Sequence, residues 1–289
     1  MIDSILRATL LGIQSGMTLA LIAAGLTLIF GMLDVINFAH GALYMLGAYF
    51  GVVIAAQLGS FWLALLLAPL VVGVVGVAIE MLSLRPLYGR NPLYHILLTF
   101  GFAIMIQGAV VQIWGGQARQ IPKPDVLTGT VTLGAFDYPL YRLFVLVVST
   151  LLIAAVWLAI ERSNLGILMR ASAQDTEMVN ALGIDVSKVF TGVFVFGAVL
   201  AGLAGVLLGV SRSVDPGMGM GVIIEAFVIV VIGGLGSFRG AVYTALLIGL
   251  VTAYGALIVP TLTELFLFAL MAVVLMIKPN GLFGTAEAA

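Results

Sequence analysis

The sequence predicts an all-α protein, a polytopic transmembrane helical bundle of eight or nine spans with one short cytoplasmic helix. Three observations lead there. Hydrophobic residues make up 62 % of the chain and charged residues 9 %, with a mean hydropathy of +1.23, whereas soluble domains are roughly a quarter charged. Uncharged runs recur at about the 20 residues that a helix needs to cross ~30 Å of hydrocarbon. The one long polar interruption, from Glu161 to Lys188, has helical wiring of its own.

The uncharged runs lie at 8–32, 35–58, 60–79, 91–114, 143–160, 189–211 and 240–263. Two shorter apolar blocks, 222–238 and 264–277, carry Glu225 and Glu264 at their N-terminal ends. The count turns on "GGLGSFRG", 233–240, which either joins two helices or interrupts a bent one. The first run is too long for a signal-peptide core and ends in no A-x-A site, so it reads as a retained span. Residues 1–289 read as a single membrane domain with a polar loop at 162–188.

Basic residues near span ends stay cytoplasmic. Arg85 and Arg90 place the loop after the third span inside, and Arg162, Arg170 and Lys188 do the same for the polar segment. The loop 115–142, with Arg119, Lys123, Asp125, Asp137 and Arg142, is then outside. Nine spans put the N-terminus outside and Lys278 inside; eight put that end outside, unless one block is re-entrant. Small residues at Gly12/Gly16, Gly47/Gly51 and Ala201/Gly205/Gly209 predict close backbone approach between helices in lipid.

Several function classes drop out. A net charge of −1, with 12 basic and 13 acidic residues spread along the chain, suggests neither nucleic-acid binding nor a polybasic lipid patch. No cysteine is present, which removes disulfides and thiolate chemistry. His40 and His95 are too few to build a metal site alone, so no metal is expected. The P-loop pattern is missing, since none of Lys123, Lys188 and Lys278 follows a glycine. No G-x-S-x-G or H-E-x-x-H occurs either. Asp34, Glu80, Glu225 and Glu264 fall near span ends, where a solvated interfacial acid is the ordinary reading. What remains is a translocation channel without a motor.

Within the polar segment, residues 172–183 read as a short helix. Ser172 and Asp175 suit its N-terminus, and Asp175 and Glu177 lie early, where the macrodipole favours acids. Met178, Ala181 and Leu182 make one face apolar, and Gly183 supplies the left-handed position that ends a helix. Such a helix either rests at the membrane interface or inserts into a groove on a soluble partner. Asn37, His40 and Gly41 open the second span, where their polar groups either line a pathway or cap the helix. Glu225 and Arg239 are further candidates for the pathway, with interface charges as the plainer reading.

The segment resembles the coupling loop of ABC importer permeases, in which a Glu, two alanines and a later Gly form the helix that docks in an ATPase. Glu177 and Gly183 keep the spacing of six, while Met178 and Val179 replace the alanines and the expected proline is missing. "GLTLIFGMLDVINFAHGALYMLGAY", 25–49, resembles the N-terminal signature of the LivH-type branched-chain amino acid permeases. "RASAQDTEMVNALGI", "GGLGSFRGAVYTALLIG" and "KPNGLFG" are similar to later hallmarks of that family, so the resemblance runs from Gly12 to Gly284.

It implies a permease subunit in a bacterial plasma membrane, working by alternating access. A second related permease, two ATP-binding cassette subunits and an extracytoplasmic substrate-binding protein would be its partners. ATP and Mg would be used by the ATPases, with no cofactor bound by this chain. Arg170, Asp175, Glu177, Met178, Leu182 and Gly183 would be the coupling residues. Importers of urea, short-chain amides or other amino acids share these motifs. An ion-coupled carrier and a membrane scaffold or receptor subunit are rivals from other classes.

Overall fold

The computed structural model describes residues 2–134 and 136–284, which form a helical membrane protein. The order begins α1 (Ile2–Leu33), α2 (Ala39–Leu58), α3 (Phe61–Ile79) and α4 (Pro92–Trp114), followed by strands β1 (Thr130–Leu133) and β2 (Phe136–Pro139). It continues with α5 (Leu140–Arg162), α6 (Asn164–Gln174), α7 (Thr176–Ala181), α8 (Val186–Gly209), α9 (Met218–Gly233), α10 (Phe238–Ile258) and α11 (Thr263–Ile277).

Every apolar run forms a helix, but among the described residues only seven helices are long and apolar enough to cross a membrane. These are α1 to α5, α8 and α10, whereas α9 and α11 are apolar but shorter. Helix length alone therefore does not supply eight or nine full crossings. "GGLGSFRG" joins two helices. Gly234 and Gly236 take φ of +100° and +79°, and the Ser237 hydroxyl accepts from Gly240 N–H at 3.1 Å to cap α10. The run expected over 240–263 stops at Ile258, because Pro260 follows and starts a separate turn. The sequence pattern predicts no strand, yet loop 115–142 carries an antiparallel hairpin with Thr130 opposite Pro139. Thr130, Val131 and Thr132 supply the β-branched residues that favour it.

The chain divides into two compact units. One comprises Leu28–Pro122 and Ala155–Ile224. Its centre is α2, buried along most of its length, and the approach of α8 is set by missing side chains. A methyl group on Gly47 would overlap the Gly202 backbone, and one on Gly205 would overlap the Tyr44 carbonyl. On α3, a Cβ at Gly73 or Gly76 would stand 2.9 Å from Val199 or Ala198 of α8. Apolar side chains on the outer faces of α3 and α4, such as Leu66, Val74, Leu97 and Ile113, stay exposed, as a lipid-facing surface requires.

The other unit comprises Met1–Thr27, Lys123–Ala154 and Glu225–Ala289. Here α1 lies on α10, with Gly12 and Gly16 against Ala245 to Leu250. The "KPNGLFG" segment folds onto the "GGLGSFRG" turn. Leu282 N–H donates to the Ile232 carbonyl at 2.7 Å and Phe283 N–H to that of Gly233 at 3.1 Å, while Phe283 stacks on Tyr243.

Gly205→Val is expected to abolish folding or lower the melting temperature in detergent, since overpacking costs roughly 1–3 kcal/mol or more. Gly101 of α4 has open space around it, so Gly101→Ala should be neutral or stabilising by up to about 1 kcal/mol. Equal melting temperatures for the two variants would contradict the packing described.

Candidate functional site

The polar segment folds as two helices rather than one. Ser163 caps α6, its hydroxyl accepting from Gly166 N–H at 3.3 Å. Gly166 sits so close to the Ile160 carbonyl that any side chain would overlap it. The Arg170 guanidinium donates to that carbonyl at 2.6 Å, which ties α6 back onto the end of α5. Ser172, expected at a helix N-terminus, instead lies buried inside α6.

The break comes at Asp175, whose extended backbone (φ −149°) ends α6 and whose carboxylate accepts from Met178 N–H at 2.8 Å to start α7. Short polar side chains compete with helical backbone bonds in this way. At the other end Gly183, at φ +85°, donates to Asn180 C=O at 2.9 Å, and Ile184 donates to Val179 C=O at 3.3 Å. That pair of bonds is the Schellman stop that the glycine predicts. The Asn180 side chain then accepts from Val186 N–H at 3.3 Å, so α7 runs into α8 through a braced turn.

Val179 points inward, whereas Met178 is 58 % and Leu182 72 % exposed. The expected apolar face is therefore present and uncovered, with Glu177 exposed in the same short helix. Asp185 and Lys188 pair at 3.2 Å on the surface, and the hydrogen bond from Lys188 holds the Asp185 carboxyl below its usual range.

Glu80 departs from expectation. It is fully buried rather than solvated, in a π-helical turn, Glu80–Leu84, that follows α3. Arg85 donates to both its carboxylate oxygens, at 3.3 and 3.2 Å, and the Tyr88 hydroxyl donates to Oε1 at 3.0 Å. Thr191, on α8, lies 2.8 Å from Oε2 and also accepts from Arg85. Burial, with the Glu80 charge adding to it, pushes the Tyr88 phenol well above its ordinary range, so it stays a donor. No signal in the sequence marks this cluster, because residues five apart stand about 140° apart on an ordinary helix.

The candidate pathway residues divide. Asn37, His40 and Gly41 stand together at the start of α2, with Asn37 and His40 fully buried. Asn37 does not cap the helix through its side chain, and its amide atoms have no hydrogen-bond partner among the described residues. Its carbonyl accepts from His40 N–H at 3.3 Å. The connector before them is held by Thr99 of α4, which accepts from Phe38 N–H at 3.1 Å and lies 3.1 Å from Ile36 C=O. Gly41 is a packing position, its Cα facing the Gly219 carbonyl at the start of α9.

A pocket of about 20 Å³, lined by Phe38, Ala42, Gln107 and Gly219 among others, has room for about one water molecule. Glu225 and Arg239 belong to the other unit. Glu225 is half-buried midway along α9 rather than at the end of an apolar block, because the helix starts earlier, at Met218. Arg239 is exposed in the first turn of α10. Asp34 is solvated, as expected, and takes φ +52° where α1 ends. The side chain of Glu264 lies outside the described residues.

Fold and site together define a multi-pass membrane protein with an uncovered, capped helix between two spans. Residues 8–275 match the model of the family described as branched-chain amino acid transport system / permease component, and the chain belongs to that family. BraD of Pseudomonas aeruginosa, a high-affinity branched-chain amino acid transport permease protein, is 34 % identical over 96 % of this chain and 94 % of its own. LivH of Escherichia coli is 32 % identical over the same shares. LivM of that organism, a permease protein of the same system name, is 26 % identical over 79 % of this chain and 59 % of its own. PsaBC from Streptococcus pneumoniae, solved in complex with a Fab, covers 98 % of both chains at a TM-score of 0.53 and 11 % identity, a likeness of fold alone. As a permease component, the chain is not itself an ATPase.

Asn37→Leu is expected to leave the melting temperature unchanged or raised, since a buried unsatisfied polar group costs roughly 1–3 kcal/mol, while transport falls. Wild-type transport by this variant would remove Asn37 from the pathway.

Proposed function

We propose that this chain forms the translocation path of an ATP-driven importer of branched-chain amino acids in a bacterial inner membrane. It would be coupled to separate ATPase subunits through α7. The observation that carries the reading is the uncovered Met178–Leu182 face on a helix capped at both ends, in a family of permease components. Met178 and Leu182 fill an apolar groove on the ATPase, and Glu177 meets charge at its rim. Arg170 acts differently, holding α6 against α5 through the Ile160 carbonyl.

The partners are two ATP-binding subunits, which use ATP and Mg, an extracytoplasmic binding protein that docks on loop 115–142, and a second permease. A heterodimer is favoured because LivH and LivM of Escherichia coli are two permease proteins of one named system. Asn37 and His40 line the path. Neutral polar groups suit a zwitterion that must leave again, since a fixed buried charge would hold it more strongly.

The topology has nine membrane segments, with the N-terminus outside and the coupling loop and Lys278 inside. Three contacts support that parity, because each joins segments that must share a side. Glu80 and Arg85 meet Thr191, Arg119 pairs with Val214, and 282–283 bond to 232–233. The last supports a chain that returns after α10, with α11 crossing in 15 residues, about 22 Å of helix.

In proteoliposomes holding the full assembly, leucine uptake should need internal ATP and external binding protein. Uptake by this chain alone, driven by an ion gradient, would defeat the reading. Gly183→Val places a β-branched residue at φ +85°, and Met178→Asp charges the apolar face. Both should reduce co-purification of the ATPase and abolish substrate-stimulated hydrolysis. Normal stimulation in both would remove α7 as the docking element.

A further inference from the structure

The buried Glu80 cluster lies outside the docking face and outside the candidate path, yet it connects the elements between them. Glu80 has no exposed surface. Its carboxylate is held by Arg85, Tyr88 and Thr191, three residues from two different segments. The π turn makes this possible. Arg85 N–H closes it onto the Glu80 carbonyl, and the wider turn brings residues five apart onto one side. Such turns are frequent at functional sites.

Thr191 stands on α8, six positions from Asp185, the residue that precedes the helix. The N-terminus of α8 is braced to α7 through Gly183 and Asn180. Beyond Thr191, α8 packs backbone to backbone on α2, which carries His40 and follows directly on Asn37. Tyr88 also meets Phe190 of α8 edge to face at 5.5 Å, and His95 of α4 bonds the Leu87 carbonyl at 3.0 Å. The short connector between α3 and α4 is thus fastened to the first turns of α8 by hydrogen bonds between an ion pair and the Thr191 hydroxyl and not by apolar packing alone.

We propose that Glu80, Arg85, Tyr88 and Thr191 form a joint that makes the α3–α4 connector move with the coupling helix. Glu80 and Thr191 are then positioning residues for coupling. This rests on the proposed docking of α7 to an ATPase. A displacement of α7 is delivered to α8, and the carboxylate transfers it to α3 and α4 instead of letting them slip.

The test uses the full assembly in proteoliposomes and reads leucine taken up per ATP hydrolysed, together with yield and melting temperature. Thr191→Val removes the hydroxyl at nearly constant shape, Thr191→Ser keeps it, and Glu80→Gln removes the charge. We expect the Val and Gln variants to assemble with the ATPase but to lose roughly tenfold in uptake per ATP, within the usual range of coupling between sites. The Ser variant should restore it. A purely architectural cluster would instead lower yield and melting temperature while the surviving complexes kept the wild-type ratio, and that result would overturn the proposal. Failure of the wild-type chain to bind an ATPase is a separate outcome that removes the docking reading and this joint with it. A normal wild-type arm with insensitive variants removes only the joint.

Discussion

Gly47 meets Gly202 backbone to backbone, and Gly205 meets the Tyr44 carbonyl; on these two contacts the rest of the larger unit depends. In lipid, apolar side chains gain little by leaving the bilayer for each other, so helices associate through close packing and interhelical hydrogen bonds. With a Cβ at any of these positions α8 would stand off from α2, and the buried residues between them would lose their neighbours. Gly73 and Gly76 extend the same fit to α3. The three helices therefore behave as one packed body, because dense interiors transmit displacement rather than absorb it.

That body carries two buried polar features, treated in opposite ways. At Glu80 every oxygen has donors, and the cost of burying the charge is offset by an arginine, a phenol and a hydroxyl. At Asn37 the amide is buried with no partner among the described residues. A satisfied cluster fixes geometry, while an unsatisfied group beside a close-packed helix leaves a place for a water, a ligand or a second conformation to satisfy. In the proposed function, coupling and passage fall on different residues of one unit, and α8 packs against the elements that carry both.

Much of this was legible in the sequence. Apolar run length located each helix, and Gly183, Met178 and Leu182 defined the uncovered helix because cap chemistry and helical spacing are local properties. Asp175 shows the limit. Spacing makes it an early acid within one helix, but its side chain starts a new one, while α6 before it is anchored to α5 through Arg170 and Gly166. Glu80 was illegible for a deeper reason: its partners are Arg85, reached only through a π turn, and Thr191, 111 residues away. Glu225 was misplaced because α9 begins at Met218, inside a glycine-rich stretch that does not read as helix. The mutual packing of "GGLGSFRG" and "KPNGLFG" was likewise hidden, although both motifs were visible separately.

Transmission from α7 to α2 through one packed body is most directly measured by spin-label distances. The chain has no cysteine, so Thr176→Cys, on α7 but off the Met178–Leu182 face, and Gln57→Cys, both at exposed positions, give a single pair when the partner subunits are also cysteine-free. In the assembled complex the distance between the two labels should stay within about 2 Å between the nucleotide-free and ATP-trapped states, as for helices that shift together. A change on the order of one helical turn, ~5 Å, would show that α7 moves independently of α2 and contradict the account.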